Sequence, residues 1–314
     1  MNNKLLLIGS GSMSLKYWEV LQNLKIDPLV VGRGAVSANN FYKVTGCKVY
    51  LCPLVDVLNE FTFQMAIVSV SVDSLYETTL ELIKSGVRKI LVEKPAALST
   101  YEIEKLFNLS NENKVEIFVA YNRRFYGSTL LAKEIIRHDG GILSAHFDFT
   151  ELSHQIIDLD ISNKVKQNWF LANSSHVIDF VFHMIGKPLK LESISSGSLS
   201  WHESSAIFAG HGLTEKGAIF SYHSNWNGPG RWMIELITKN HKLIFQPMES
   251  LKKMKIGSMV VEEVSPIDNL DQLYKPGLFR QVDAFINGDL NNLCSIKEHF
   301  LNWPYYIKIA NYSI

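Results

Sequence analysis

Cysteine is scarce in this chain. Cys47, Cys52 and Cys294 are the only three in 314 residues. An odd count without metal-like spacing does not suggest a disulfide framework and suits small apolar packers in a reducing compartment. Charge of one sign is also missing, since 31 Lys plus Arg balance 31 Asp plus Glu. No net positive field therefore draws nucleic acid or an anionic membrane. Long apolar runs are absent too. Leu5-Leu6-Leu7-Ile8 passes straight into glycine, too short for an export signal, and nothing approaches the roughly 18–20 apolar residues of a membrane span. The expectation is a cytoplasmic protein with a small-molecule partner. What is there is an ordinary core-forming composition, 46% hydrophobic and 20% charged, over a length that holds about two domains.

The first part alternates strand and helix patterns. Strands are expected at Lys4–Ile8, Pro28–Val31, Lys48–Tyr50, Ala66–Val70, Lys89–Val92 and Val115–Ala120. Between them lie a helix with Met13, Tyr17, Leu21 and Leu24 on one face, a polar helix at Ser37–Val44, and a helix at Asp73–Ser85 stopped by Gly86. Another opens with the capping box Ser99-Thr100-Tyr101-Glu102. This rhythm predicts right-handed βαβ units and a doubly wound parallel sheet over residues 1–121. After Asn122 the rhythm changes. A helix at Ser128–Arg137 ends at Gly140-Gly141, and strand patterns follow at Ile142–Thr150, Leu191–Leu199, Ser205–Gly210, Gly217–Trp226, Arg231–Thr238 and Lys242–Phe245. Residues 122–314 therefore read as an α+β domain on a large, mostly antiparallel open sheet.

"GSGSMS", residues 9–14, follows the first strand and opens a helix. Gly9 permits the tight turn, and Gly11 lets the backbone approach a diphosphate at the helix N-terminus. Ser14 stands where a third glycine packs helix on strand; alanine is also accepted there, and serine is only slightly larger. Gly9, Ser10, Gly11, Ser12 and Met13 are the expected dinucleotide cradle. The second strand ends Val31-Gly32-Arg33-Gly34. It lacks the carboxylate that holds ribose hydroxyls in NAD sites. Arg33, with Ser37 at the next helix start, is instead suited to a 2′-phosphate, so NADP(H) is expected over NAD(H).

"VEKPAALS", residues 92–99, puts Lys94 at the carboxyl end of a late parallel strand, where ligands of such sheets bind. A lysine there can carry the proton that accompanies hydride transfer at a carbinol. With the glycine turn, "FVAYNRRF" at 118–125 and "HVIDFVFHMIG" at 176–186, the chain resembles the glucose–fructose oxidoreductase / inositol dehydrogenase (Gfo/Idh/MocA) family along nearly its whole length. The resemblance implies that Lys94 is the central catalytic residue, in a turn shaped by Glu93 and Pro95 with a cis bond before the proline. It implies that Ser69, Val70 and Ser71 run beside the cofactor, that Glu93 and Asn122 adjoin it, and that Asn122 and Arg123 border the substrate.

His176, Asp179 and His183 share one face of a helix. The family carries an acid four residues before the histidine that His176 matches, and Ala172 stands there instead. Proton transfer is expected to rest on His176 and Lys94, aided by Asn173, and no metal is expected. Trp169, Asn173, His176 and Asp179 are expected at the substrate, with Trp201-His202, Tyr222-His223, Trp226 and Arg231-Trp232 as further aromatic and polar groups suited to a sugar. The wording of this region looks most like family members of bacterial surface-polysaccharide biosynthesis, which implies a sugar or nucleotide-linked sugar. A homo-oligomer, dimer or tetramer, is expected through one sheet face. The competing expectation is a non-catalytic dinucleotide- and sugar-binding sensor or regulator of the same fold.

Overall fold

A computed structural model describes residues 5–312; Lys4, expected in the first strand, lies outside them. The chain divides into two compact units. One runs to Tyr121 and takes in Leu278–Leu301, and the other is Asn122–Gly277 with the residues from Asn302 onward.

The first unit is built on strands β1 (Leu5–Ile8), β2 (Leu29–Val31), β3 (Val49–Tyr50), β4 (Met65–Val68), β5 (Lys89–Val92) and β6 (Glu116–Val119). All pair in parallel, in the spatial order β6-β5-β4-β1-β2-β3. β1 is buried at every position, as a strand covered by helices on both faces must be. Chain order reverses between β1 and β4, and the carboxyl ends there form the switch-point crevice of such sheets. The helix Ser12–Asn23 leaves β1, and the helix Leu75–Lys84 follows β4. Ser99 caps the helix Thr100–Asn113 as its capping box predicts: Glu102 N donates to Ser99 Oγ, and Glu102 Oε2 accepts from Leu98 N.

The second unit is built on β7 (Ile142–Asp148), β8 (Pro188–Ser196), β9 (Ile207–Thr214), β10 (Ile219–Asn225), β11 (Met233–Thr238), β12 (His241–Phe245), β13 (Lys252–Lys255) and β14 (Val261–Glu263). Their order is β14-β13-β12-β11-β7-β10-β9-β8, antiparallel throughout except for the β7–β10 pair. One face packs against the helix Ser175–Ile185, with Phe180 edge-on to Phe245 and Phe182 edge-on to Phe220. Ala145, Phe147 and Phe149, two residues apart, are buried on one face, whereas Leu143 at the strand's start is 60% exposed. On the other face His211, Ile219 and His223 stay exposed.

One segment departs from the expected division. Leu278–Leu301, assigned above to the second domain, belongs to the first unit. Its strand β15 (Cys294–Ser295) adds antiparallel to β6, Phe285 lies edge-on to Phe118, and Phe300 stacks on Phe107 at 4.6 Å. These apolar side chains complete the first core, and position along the chain gives no sign of it. Among the described residues no helix is long and apolar enough to cross a membrane.

Candidate functional site

Gly9 sits at φ 116°, and a Cβ there would lie 2.4 Å from the Ser69 carbonyl oxygen. Only glycine fits this turn. At Gly11 an added Cβ would meet nothing within 4 Å, so the space in front of the helix is open. Gly11 is also the helix N-cap, without a side-chain cap, which leaves first-turn N–H groups and the positive dipole end facing that space. The turn fits a diphosphate. Ser14 is fully buried and its hydroxyl lies 2.8 Å from Ser69 Oγ, so the residue replacing the third glycine ties helix to strand. Ser12 and Met13 open the helix, and Val70 and Ser71 follow β4.

A cleft of about 380 Å³ opens at the ends of β1 and β2, lined by Gly9, Gly32, Arg33, Pro53, Val70 and Ser74. Arg33 is exposed and its Nη2 donates to Ser74 Oγ at 2.9 Å. Ser37 is engaged locally: its hydroxyl donates to Gly34 O and lies 2.9 Å from Ser10 Oγ. Asp73, Glu77 and Glu81 line the same cleft, and burial raises the Glu81 carboxyl above the usual range against the pull of Val55 and Lys84. These carboxylates went unnoticed in the sequence because their helical spacing reads as a solvated face.

Lys94 follows β5 at the same edge of the sheet, half-buried, and the Lys94–Pro95 bond is cis. Two flanking groups hold this turn. Tyr17 OH donates to Glu93 Oε1 at 2.7 Å, with burial and the Glu93 carboxylate pushing the phenol well above its ordinary pKa. His299 Nε2 donates to the Pro95 carbonyl oxygen at 3.0 Å. Neither was foreseen: Tyr17 reads as core, and His299 comes from the late segment.

The second unit holds a cluster around Glu151, just past β7. This carboxylate is 2% exposed. It accepts Ser174 Oγ at 2.6 Å, Asn173 Nδ2 at 3.0 and 3.1 Å, and Arg231 Nη1 at 3.3 Å. Burial raises its pKa, opposed by Ser174, Arg231 and Asn173. Asn173 and Ser174 belong to a single π-helical turn, Phe170–Ser174, directly before the helix of His176. A buried carboxylate therefore reaches the turn where Ala172 leaves none. The Trp232 ring centroid lies 6.4 Å from that of His176, and the Arg231 and Arg123 guanidinium groups stand 4.4 and 4.7 Å from it.

Residues 3–121 match the model of an oxidoreductase family with an NAD-binding Rossmann fold. Over residues 3–121 the chain is thus similar to the Gfo/Idh/MocA family. No curated protein matches the sequence. Among solved structures, the chain is similar to UDP-N-acetylglucosamine 3-dehydrogenase GnnA from Acidithiobacillus ferrooxidans, at 12% identity and TM-score 0.76 over 98% of this chain and 97% of that one. It is similar to the dehydrogenase MviM from Clostridium difficile, at 17% identity and TM-score 0.79 over 99% of each. It also matches an Agrobacterium radiobacter oxidoreductase solved with NAD+, L-tartaric acid and magnesium, at 13% identity and TM-score 0.74 over 98% and 94%. At these identities the likeness is one of fold.

Several residues expected near ligands have other partners. Asp179, expected at the substrate, is 1% exposed and paired with Arg124 through two contacts of 2.8 and 2.6 Å; it neutralises a buried guanidinium. His183 meets Lys133 Nζ at 2.6 Å, so the shared helix face of His176, Asp179 and His183 is divided among partners. The Asn122 amide donates to Pro276 O. Trp201, His202, Tyr222 and Trp226, expected among the sugar-facing groups, are buried, with Trp201 stacked on Trp226 at 5.6 Å. Trp169 lies edge-on to Trp201 at the start of the π turn.

Proposed function

We propose that this chain is an NADP(H)-dependent oxidoreductase acting on a secondary hydroxyl or keto carbon of a sugar or nucleotide-linked sugar. One observation carries the reading: an intact glycine turn and a half-buried lysine beside a cis-proline stand at the same edge of one parallel sheet. Gly9, Ser10, Gly11, Ser12 and Met13 hold the diphosphate, Arg33 the adenosine end, and Ser69, Val70, Ser71, Glu93 and Asn122 the remainder. The bound cofactor supplies a nicotinamide that takes up or gives a hydride. Lys94 takes the proton from the substrate oxygen, or returns it, and His176 serves as the second proton carrier. Arg123, Trp169 and Asn173 orient the sugar.

Glu151 supports catalysis over the sensor reading. Ala172 is what favours a non-catalytic protein, and the Glu151 contacts with Asn173 and Ser174 supply a carboxylate beside it. For the cofactor, Arg33 supports NADP(H), while Asp73 and Glu77 in the same cleft favour the competing choice, NAD(H); titration of both against wild type and Arg33→Ala separates them. A cytoplasmic setting, and a dimer or tetramer joined through the outer sheet face of Ile194 and Ile219, which are 71% and 62% exposed, belong to the same proposal. Lys94→Ala tests the mechanism. Turnover falls at least a thousandfold with cofactor affinity nearly unchanged; unimpaired turnover rejects it.

A further inference from the structure

The Arg123 guanidinium stands out because the fold gives it so little. It sits in the turn Asn122–Phe125. Among the described residues its one hydrogen bond runs from Nη1 to Asn122 Oδ1 at 3.5 Å, its buried Nε finds no acceptor, and it forms no ion pair. Burial lowers its pKa, opposed by Tyr126 and Glu249, with the nearby Arg231 adding to the lowering and Glu151 opposing it. Arg231 has a counter-charge, Glu151, at 3.3 Å; among the described residues Arg123 has no carboxylate in ion-pair contact, and Glu249 and Glu151 act on it only at longer range. Both guanidinium groups stand within 5 Å of the Trp232 ring centroid. An arginine keeps its charge when buried, and leaving its fork of donors unfilled is costly unless a partner arrives. By contrast, Arg124 next to it is paired with Asp179 through Nε and Nη2.

We infer that Arg123, with Arg231 beside it on Trp232, receives an anionic oxygen group of the substrate, so that the substrate is an acidic sugar rather than a neutral polyol. A carboxylate or a phosphate matches the planar fork of five N–H donors, and the indole fixes the plane of the fork through cation–π contact. Glu151 is already engaged by Arg231, which leaves the Arg123 fork to receive a single anionic group. The inference takes from the proposed function only that the ligand is a sugar.

Calorimetric titration of the full-length protein tests it, with UDP-glucuronate, UDP-glucose, UDP, uridine, glucuronate and glucose as probes. At least one acidic probe binds tenfold or more tightly than its neutral counterpart. Preference for UDP-glucuronate over UDP-glucose, and for glucuronate over glucose, identifies a carboxylate; preference for UDP over uridine without it identifies a phosphate. Arg123→Gln abolishes the preference while its affinity for NADPH stays within twofold of wild type, which also shows that it folds. Arg123→Lys keeps the charge without the fork and retains part of the preference. The inference is overturned if no acidic probe is preferred, or if the preference survives in Arg123→Gln. Since binding is read rather than turnover, a protein that prefers acidic sugars but transfers no hydride refutes the oxidoreductase reading alone.

Discussion

The glycine turn of the first unit and the Glu151 cluster of the second are built from opposite materials. The turn is main chain: a glycine that admits no Cβ, a second glycine facing open space, and uncapped helix N–H groups. The cluster is side chain: a buried carboxylate, an amide, a hydroxyl and a guanidinium, drawn from positions up to 80 residues apart. A main-chain site is set by local conformation, so it tolerates serine at position 14 but not a methyl group at position 9. A side-chain site is set by charge balance, so it fails when one partner leaves.

Buried charge in the second unit gives the largest expected effect. Asp179→Ala removes the carboxylate paired with the buried Arg124, and urea unfolding loses about 3–5 kcal/mol. The double change Arg124→Met with Asp179→Leu restores most of it; a single-variant loss below about 1 kcal/mol breaks the contrast between the units.

The next effect comes from pH. His202 is fully buried and held at a pKa of about 4, below its ordinary 6.5, chiefly by burial, with the Ser205 carbonyl opposing. It stays neutral, 2.8 Å from both Ser205 O and Tyr312 OH. The unfolded chain takes up the proton first as pH falls. Stability present above pH 6.5 is therefore lost progressively toward pH 4, by about 3 kcal/mol in all. His202→Gln flattens that part of the stability–pH curve.

In the first unit, Gly9→Ala forces a side chain into a positive-φ turn against Ser69 O. It costs about 2–3 kcal/mol and weakens NADPH binding at least a hundredfold by fluorescence titration. Unchanged affinity there removes the main-chain account. Ser14→Ala is the smallest: loss of the Ser69 contact costs about 1 kcal/mol, and the cofactor dissociation constant stays within twofold.

The same contrast explains what the sequence made legible. "LIGSGSMS" and "VEKP" are contiguous, so a strand, a turn and a helix start are read together, and their places in the sheet follow. Glu151 lies in "TELSH", past a strand end, where neither helical nor strand period marks it. Its partners at 173, 174 and 231 converge only through the sheet. Asp179 shares a helical face with His176, yet Arg124 claims it from another turn. Trp201 and Trp226 read as sugar-facing because composition cannot tell a stacked core pair from a binding wall. Leu278–Leu301 reads with the residues before it for a similar reason, since its apolar faces show that it packs but not on which sheet.

Deuteride transfer tests the central claim most directly. The protein is mixed with NADPH deuterated at the transferring position and a panel of keto-sugars, neutral and acidic, and the products are weighed by mass spectrometry. One deuterium appears at the new carbinol carbon with wild type and none with Lys94→Ala. A wild-type protein that binds the cofactor tightly and returns every sugar unlabelled contradicts the account.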